Sequence, residues 1–189
     1  MSTDLTITLQ PVSEAHQPIC YQIAAANVPG WLRVCKEGLP SPLDFEASLW
    51  GGVHAQFLVV ADPDLVLGLA AVHSYSPMHR TAWVDVALAP SVRGDDREAV
   101  GDAALELILS HAFASVGLRC AHLLSPVWLQ PQLDTQRWSI VREGLLREHL
   151  YHDGIYWDVG VWTVRVPAAS GSRNGDGRVQ GRSASGVGR

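Results

Sequence analysis

Apolar and polar positions change period several times along the chain, and each change marks an element. Leu5 to Leu9 alternates with period two and predicts a first strand. Ser13 is placed to cap a helix running to about Asn27, with Ala15, Ile19 and Ile23 on one face, until Asn27-Val28-Pro29-Gly30 breaks it. A second helix is expected over roughly Pro42 to Trp50, stopped by Gly51-Gly52. Three strands follow, Gln56 to Ala61, Val66 to Tyr75 and Thr81 to Ala89. Asp62-Pro63-Asp64 joins the first two, and a turn over Ser76 to Arg80, with Pro77 inside, joins the next two. The longest helix is expected to start at Asp95, with Glu98 three residues on as in a capping box, and to end before Gly117. Its polar positions Asp102, Glu106 and Ser110 form one narrow stripe, so most of this helix should lie buried against a sheet. A strand over Cys120 to Leu124 and a Pro-rich, irregular stretch from Ser125 to Gln136 follow, with one short helix expected before the last two strands.

Those last strands are the clearest signal in the chain. Asp153-Gly154 is a strong two-residue hairpin turn, because both central residues of a primed turn need positive φ. A loop of that length sets Tyr151 opposite Tyr156 and His149 opposite Asp158. A facing His and Asp can be an oriented base or simply a surface contact.

Composition narrows the reading further. With 189 residues, 47% of them hydrophobic and 17% charged, the chain suits one globular domain, expected over residues 1–167. No apolar run is long enough to span a bilayer, and the first residues look unlike a secretory signal, so a cytoplasmic protein off the membrane is expected. Cys20, Cys35 and Cys120 form no CxxC pair, and no His or Cys cluster has zinc spacing, so reduced thiols and no metal are expected. Residues 168–189 are rich in Gly, Ser and Arg and are expected to be disordered. They hold four Arg and one Asp, leaving −8 for the rest of a chain of net charge −5. An acidic folded part argues against nucleic acid as a partner and suits a cationic substrate.

The segment EGLLREHLYHDGIYWDV, Glu143 to Val159, resembles the C-terminal hairpin of GNAT N-acetyltransferases, above all the branch that acetylates the N-termini of ribosomal proteins. The element order resembles theirs over about Leu5 to Val164. The resemblance implies an α/β GNAT fold: a mixed, mostly antiparallel sheet splayed between its fourth and fifth strands, with helices on both faces. It also implies acetyl-CoA as acyl donor.

The family's diphosphate-binding loop sits where the long helix begins, because unpaired amides and the helix dipole attract anions. Aligning Ala104-Leu105 with the family's Ala-Leu places Ala99 and Gly101 at its two glycine positions. Arg93, Gly94, Arg97, Gly101, Asp102 and Ala103 then become the donor-binding candidates, joined by the backbone of Val86, Ala87 and Leu88 beside the thioester. Asp95, Asp96, Glu98 and Asp102 crowd the same place, and in the alternative reading they only cap the helix.

Asp85 lies in an apolar strand where an unpaired carboxylate is costly. The resemblance implies a general base there, with His73 facing it if the hairpin loop centres on His79; a structural ion pair is the other reading. At the positions of the family's Asn and Tyr stand Trp128 and Thr135; Tyr151, Tyr156 or Ser125 could substitute as acid, or the thiolate could leave without one. Trp31 and Trp50 flank the expected acceptor site. No GxSxG elbow is present, which excludes that class of hydrolase.

Two functions follow. One is acyl-CoA-dependent transfer to a primary amine, either a small molecule or a polypeptide N-terminus, by direct attack in a ternary complex. The other is a non-catalytic acyl-CoA sensor or protein-binding scaffold. A homodimer is compatible with both.

Overall fold

In the computed structural model, residues 6–27, 40–61, 65–94, 96–152 and 154–167 are described. The strands are β1 (Ile7–Pro11), β2 (Val53–Ala61), β3 (Val66–Ser76), β4 (Thr81–Leu88), β5 (Cys120–Pro126), β6 (Ser139–His152) and β7 (Ile155–Arg165). The helices are α1 (Gln17–Ala26), entered through a 3₁₀ turn over Glu14–His16, then α2 (Pro42–Ser48) and α3 (Asp96–Ala114). Trp31 and the expected tail, 168–189, lie outside the described residues, as do Asp95 and Asp153.

One seven-stranded sheet runs in the order β1-β2-β3-β4-β5-β7-β6. Every neighbouring pair is antiparallel except β4 and β5, which are parallel. Alternation along the strands sends successive side chains to opposite faces. On one face Leu58, Val60, Leu69 and Ala87 pack under α1 and α2, against Cys20, Ile23 and Phe45. On the other Val59, Ala70, Val72 and Val84 pack under α3, against Ala104, Ile108 and Ala112. Phe45, Ile108 and Val72 are almost wholly buried, each removal from water being favourable by about 2 kcal/mol.

Local signals place most boundaries. Ser41 Oγ accepts the Asp44 N–H (3.2 Å) as the N-cap of α2, with Pro42 at its first position. Gly117, at φ +73°, ends the stretch after α3, and Leu118 N–H reaches back to the Ala112 carbonyl (3.2 Å) in a Schellman-type closure. Gly154 takes φ +79° in the last turn, where His152 pairs with Ile155 and Tyr151 with Tyr156 as expected.

Three expectations fail. No helix forms between β5 and β6; residues 127–138 instead run as an irregular strap across α3. The strap is held by the polar stripe of that helix. Asp102 Oδ1 accepts the Gln132 N–H (3.1 Å), Glu106 Oε1 the Asp134 N–H (3.0 Å), and Glu106 Oε2 the Trp138 indole N–H (2.6 Å). Arg137 adds an ion pair to Glu106 (3.6 Å) and a bond to Ser110 Oγ (2.8 Å).

His149 does not face Asp158. A bulge falls between Leu146 and Leu150, with Glu148 at φ +48°, and Asp158 accepts the Glu148 N–H (2.8 Å) while pairing with Arg147 (3.8 Å). The β3–β4 register also differs by two residues: His73 pairs with Trp83, and Ala71 with Asp85.

Candidate functional site

β4 and β5 stay paired for only three residues, Thr81↔Cys120, Ala82↔Ala121 and Trp83↔His122. Beyond Trp83 the strands part. The wedge becomes a cavity of about 350 Å³ between Val84, Asp85, Val86 and Leu88 on one wall and Leu123 to Pro126 on the other. The start of α3 closes one end with Gly94, Arg97, Glu98, Gly101 and Asp102. Trp128, Leu129 and His152 complete the β5 side.

A two-residue register change preserves the face of every side chain, so the expected His73–Asp85 contact survives as a diagonal pair. His73 Nε2 stands 3.1 Å from Asp85 Oδ2. Nε2 makes no well-directed hydrogen bond, so the contact is a close ion pair when the imidazole is charged. The ring is buried and fixed from its other side, where Nδ1 meets Ser74 Oγ at 3.1 Å. Ser74 sits at φ +51°, within the irregularity that separates His73 from Ser76, and its N–H bonds the Gly52 carbonyl (3.1 Å). A strained non-glycine residue is thus spent next to the buried imidazole.

The donor-binding candidates divide. Val86, Leu88, Gly94, Arg97, Gly101 and Asp102 line the cavity together. Ala87 turns its side chain into the α1–α2 core and does not line the cavity. Ala103 faces a shallow groove beside Ile7 and Leu107, away from the cavity. Arg93 bends back to the Pro90 carbonyl (3.2 Å) and does not line it. Arg97 does, although one of its guanidinium nitrogens bonds the Val92 carbonyl (3.3 Å). The Leu88 carbonyl is taken by Asn27 Nδ2 (2.9 Å), which also caps α1 through the Ile23 carbonyl (2.6 Å).

In the first turn of α3 the Arg97 N–H bonds the Gly94 carbonyl (3.1 Å). Asp96, Glu98 and Asp102 make that end acidic. Burial raises the Asp102 carboxyl above the usual carboxylate range, Glu98 and Glu106 push the same way, and the Gln132 N–H opposes them.

Tyr151 and Tyr156 pack against each other with tilted rings (5.0 Å between centroids, 52° between planes) on the exposed last hairpin and line no part of the cavity. Trp50 is half-exposed past the end of α2 and also stands apart from it. Ser125 is buried in the cavity wall, its hydroxyl donating to the Leu129 carbonyl. His152 was not singled out by sequence. Its only signal was a place one residue before the Asp153-Gly154 turn, and its approach to the cavity depends on the strap. Among the described residues no group of three or more His, Cys, Asp or Glu is arranged to hold a metal ion, and no helix is long and apolar enough to cross a membrane.

A mixed sheet splayed between its fourth and fifth strands, with two helices on one face and one long helix on the other, is the GNAT acetyltransferase fold. The solved structures it matches include mutant forms of the spermidine/spermine N-acetyltransferase SpeG from Vibrio cholerae (17% identity, 85% of this chain and 95% of that one, TM-score 0.63). They also include the same bacterium's enzyme with manganese ions (17%, 84% and 92%, 0.61) and its dodecameric form in an intermediate state (16%, 84% and 93%, 0.62). At such identity the likeness carries the fold. No protein-family model matches the chain, and no curated protein matches it.

Proposed function

We propose that this chain is an acyl-CoA-dependent N-acyltransferase acting on a primary amine. The observation that carries the reading is the wedge after Trp83, whose β4 wall holds the Asp85 carboxylate beside the His73 imidazole and whose end is the first turn of α3. Acetyl-CoA would supply the activated acyl group. The fit to it is good along the apolar walls, where Val86, Leu88 and Leu123 suit a pantetheine arm. It is weaker at the phosphates, where Arg97 and the N-terminal end of the α3 dipole attract an anion while Glu98 and Asp102 repel it.

Asp85 takes the proton from the acceptor's ammonium, and His73 holds and electrostatically supports that carboxylate. The spermidine enzymes named above favour an amine acceptor, and the hairpin resemblance favours a polypeptide N-terminus; the acidic folded part suits either cation. Release of CoA thiol from acetyl-CoA with spermidine, butylamine or an alanyl peptide tests the reading. Turnover with at least one of them is expected. Binding of acetyl-CoA with no transfer to any of the three would point to a sensor instead.

A further inference from the structure

The chain lacks the Tyr that the hairpin resemblance leads one to expect as proton donor, and the two tyrosines of the hairpin lie away from the cavity. One titratable ring does stand on the β5 side, opposite Asp85, namely His152. Its surroundings form a clamp. Trp128 stacks on the imidazole (5.9 Å, 26° between planes), Trp157 braces Trp128 edge-on (4.5 Å, 72°), and the Trp157 indole N–H donates to the His152 carbonyl (3.2 Å). Ring and backbone of one residue are therefore fixed by two tryptophans that come from different elements, the strap and β7. Ser125, the other candidate donor on this wall, already gives its hydroxyl proton to Leu129.

We propose that His152 is a catalytic residue on the β5 wall that donates a proton to the departing thiolate. This rests on the N-acyltransferase reading above. Asp85 on β4 and His152 beyond β5 then stand on opposite walls of the wedge, base against acid. The amine lone pair forms the new C–N bond, and the C–S bond breaks with its electrons on sulfur. The imidazolium N–H proton passes to that sulfur, giving free thiol. Of the two protons the ammonium loses, one leaves through Asp85 to solvent, and the other resets the imidazole through solvent. An imidazole ring both gives and takes a proton at its nitrogens, which suits this exchange. The charged groups that share the cavity with it are Asp85, Arg97, Glu98 and Asp102.

The test compares CoA with desulfo-CoA by isothermal titration, on the wild-type chain and on His152→Gln and His152→Phe. The Phe variant keeps a ring for Trp128 to stack on, so loss of packing is separated from loss of the proton. Wild type is expected to prefer CoA over desulfo-CoA several-fold, and both variants to lose that preference while binding desulfo-CoA as wild type does. Turnover of acetyl-CoA should fall about 100-fold in both with KM for the donor unchanged, at the low end of general-acid effects. An equal preference for the thiol in wild type and variants, or none in wild type, overturns the role of His152. Failure of wild type to bind either ligand sinks the acyltransferase reading itself.

Discussion

Asp85 and His73 come into the expected contact through a register other than the expected one. The hairpin loop is centred one residue earlier than His79 implies, so the pair is diagonal instead of directly opposed. Period two guaranteed the face, and diagonal neighbours on one face lie within reach of long side chains. Asp85→Asn should lower acetyl transfer about 100-fold, while acetyl-CoA affinity by titration calorimetry stays within twofold of wild type. Asp102 carries the opposite expectation. Its carboxylate stands beside Arg97 and Gly101 at the cost of burial, so Asp102→Asn should tighten acetyl-CoA binding by a few-fold. Two histidines set an acid limit on stability. Burial lowers His111, with His54 adding to it, and burial lowers His122, with Arg165 adding and Glu143 opposing. Both are held neutral in the fold, so the unfolded chain binds more protons as pH falls through the ordinary histidine value near 6.5. Their stabilisation is present above that value and lost below it. Thermal unfolding midpoints should therefore drop between about pH 7.5 and 5.5, and His111→Gln should shrink the drop.

At the scale of elements, strands and helices were legible wherever one period ran long enough. β3, β4, α3 and the final turn fall within a few residues of their expected places. The segment after β5 was not legible, because its structure comes from bonds to residues about 30 positions away. Asp102, Glu106 and Ser110 were visible as a stripe, but only the folded chain shows that the stripe holds the strap. Glu106 receives a backbone N–H, an indole N–H and an arginine, so Glu106→Ala should destabilise the protein by about 2 kcal/mol in urea unfolding. The Leu146–Leu150 bulge was missed for a similar reason: Asp158 satisfies the Glu148 amide, and pattern alone does not register an inserted residue. Gly68 marks the tightest approach in the sheet. A Cβ there would sit 2.5 Å from the Ala87 carbonyl oxygen, so Gly68→Ala must shift β4 at the cavity wall and should cost about 1–3 kcal/mol.

For the molecule as a whole, the splay is the feature that joins fold to chemistry. The parallel contact of β4 and β5 ends after three residues, and the strap, anchored to α3, walls off the far side of the opening with Trp128 and Leu129. The cavity thus brings together lining residues from β4, the start of α3, β5, the strap and the end of β6, a combination that the topology creates. That explains why the family resemblance pointed to β4 and the start of α3, where several residues do line the cavity, and not to His152. It also explains why Ala103 and Arg93, adjacent in sequence to true lining residues, fall outside: one side chain turns round the helix and the other caps its own loop. The proposed chemistry requires this wedge to accept an acyl-CoA despite its acidic rim. Isothermal titration of acetyl-CoA into the full chain measures it directly. Saturable binding at one molecule per chain, with a micromolar Kd that weakens as salt is raised, is the expected result; no detectable binding at millimolar acetyl-CoA would contradict it.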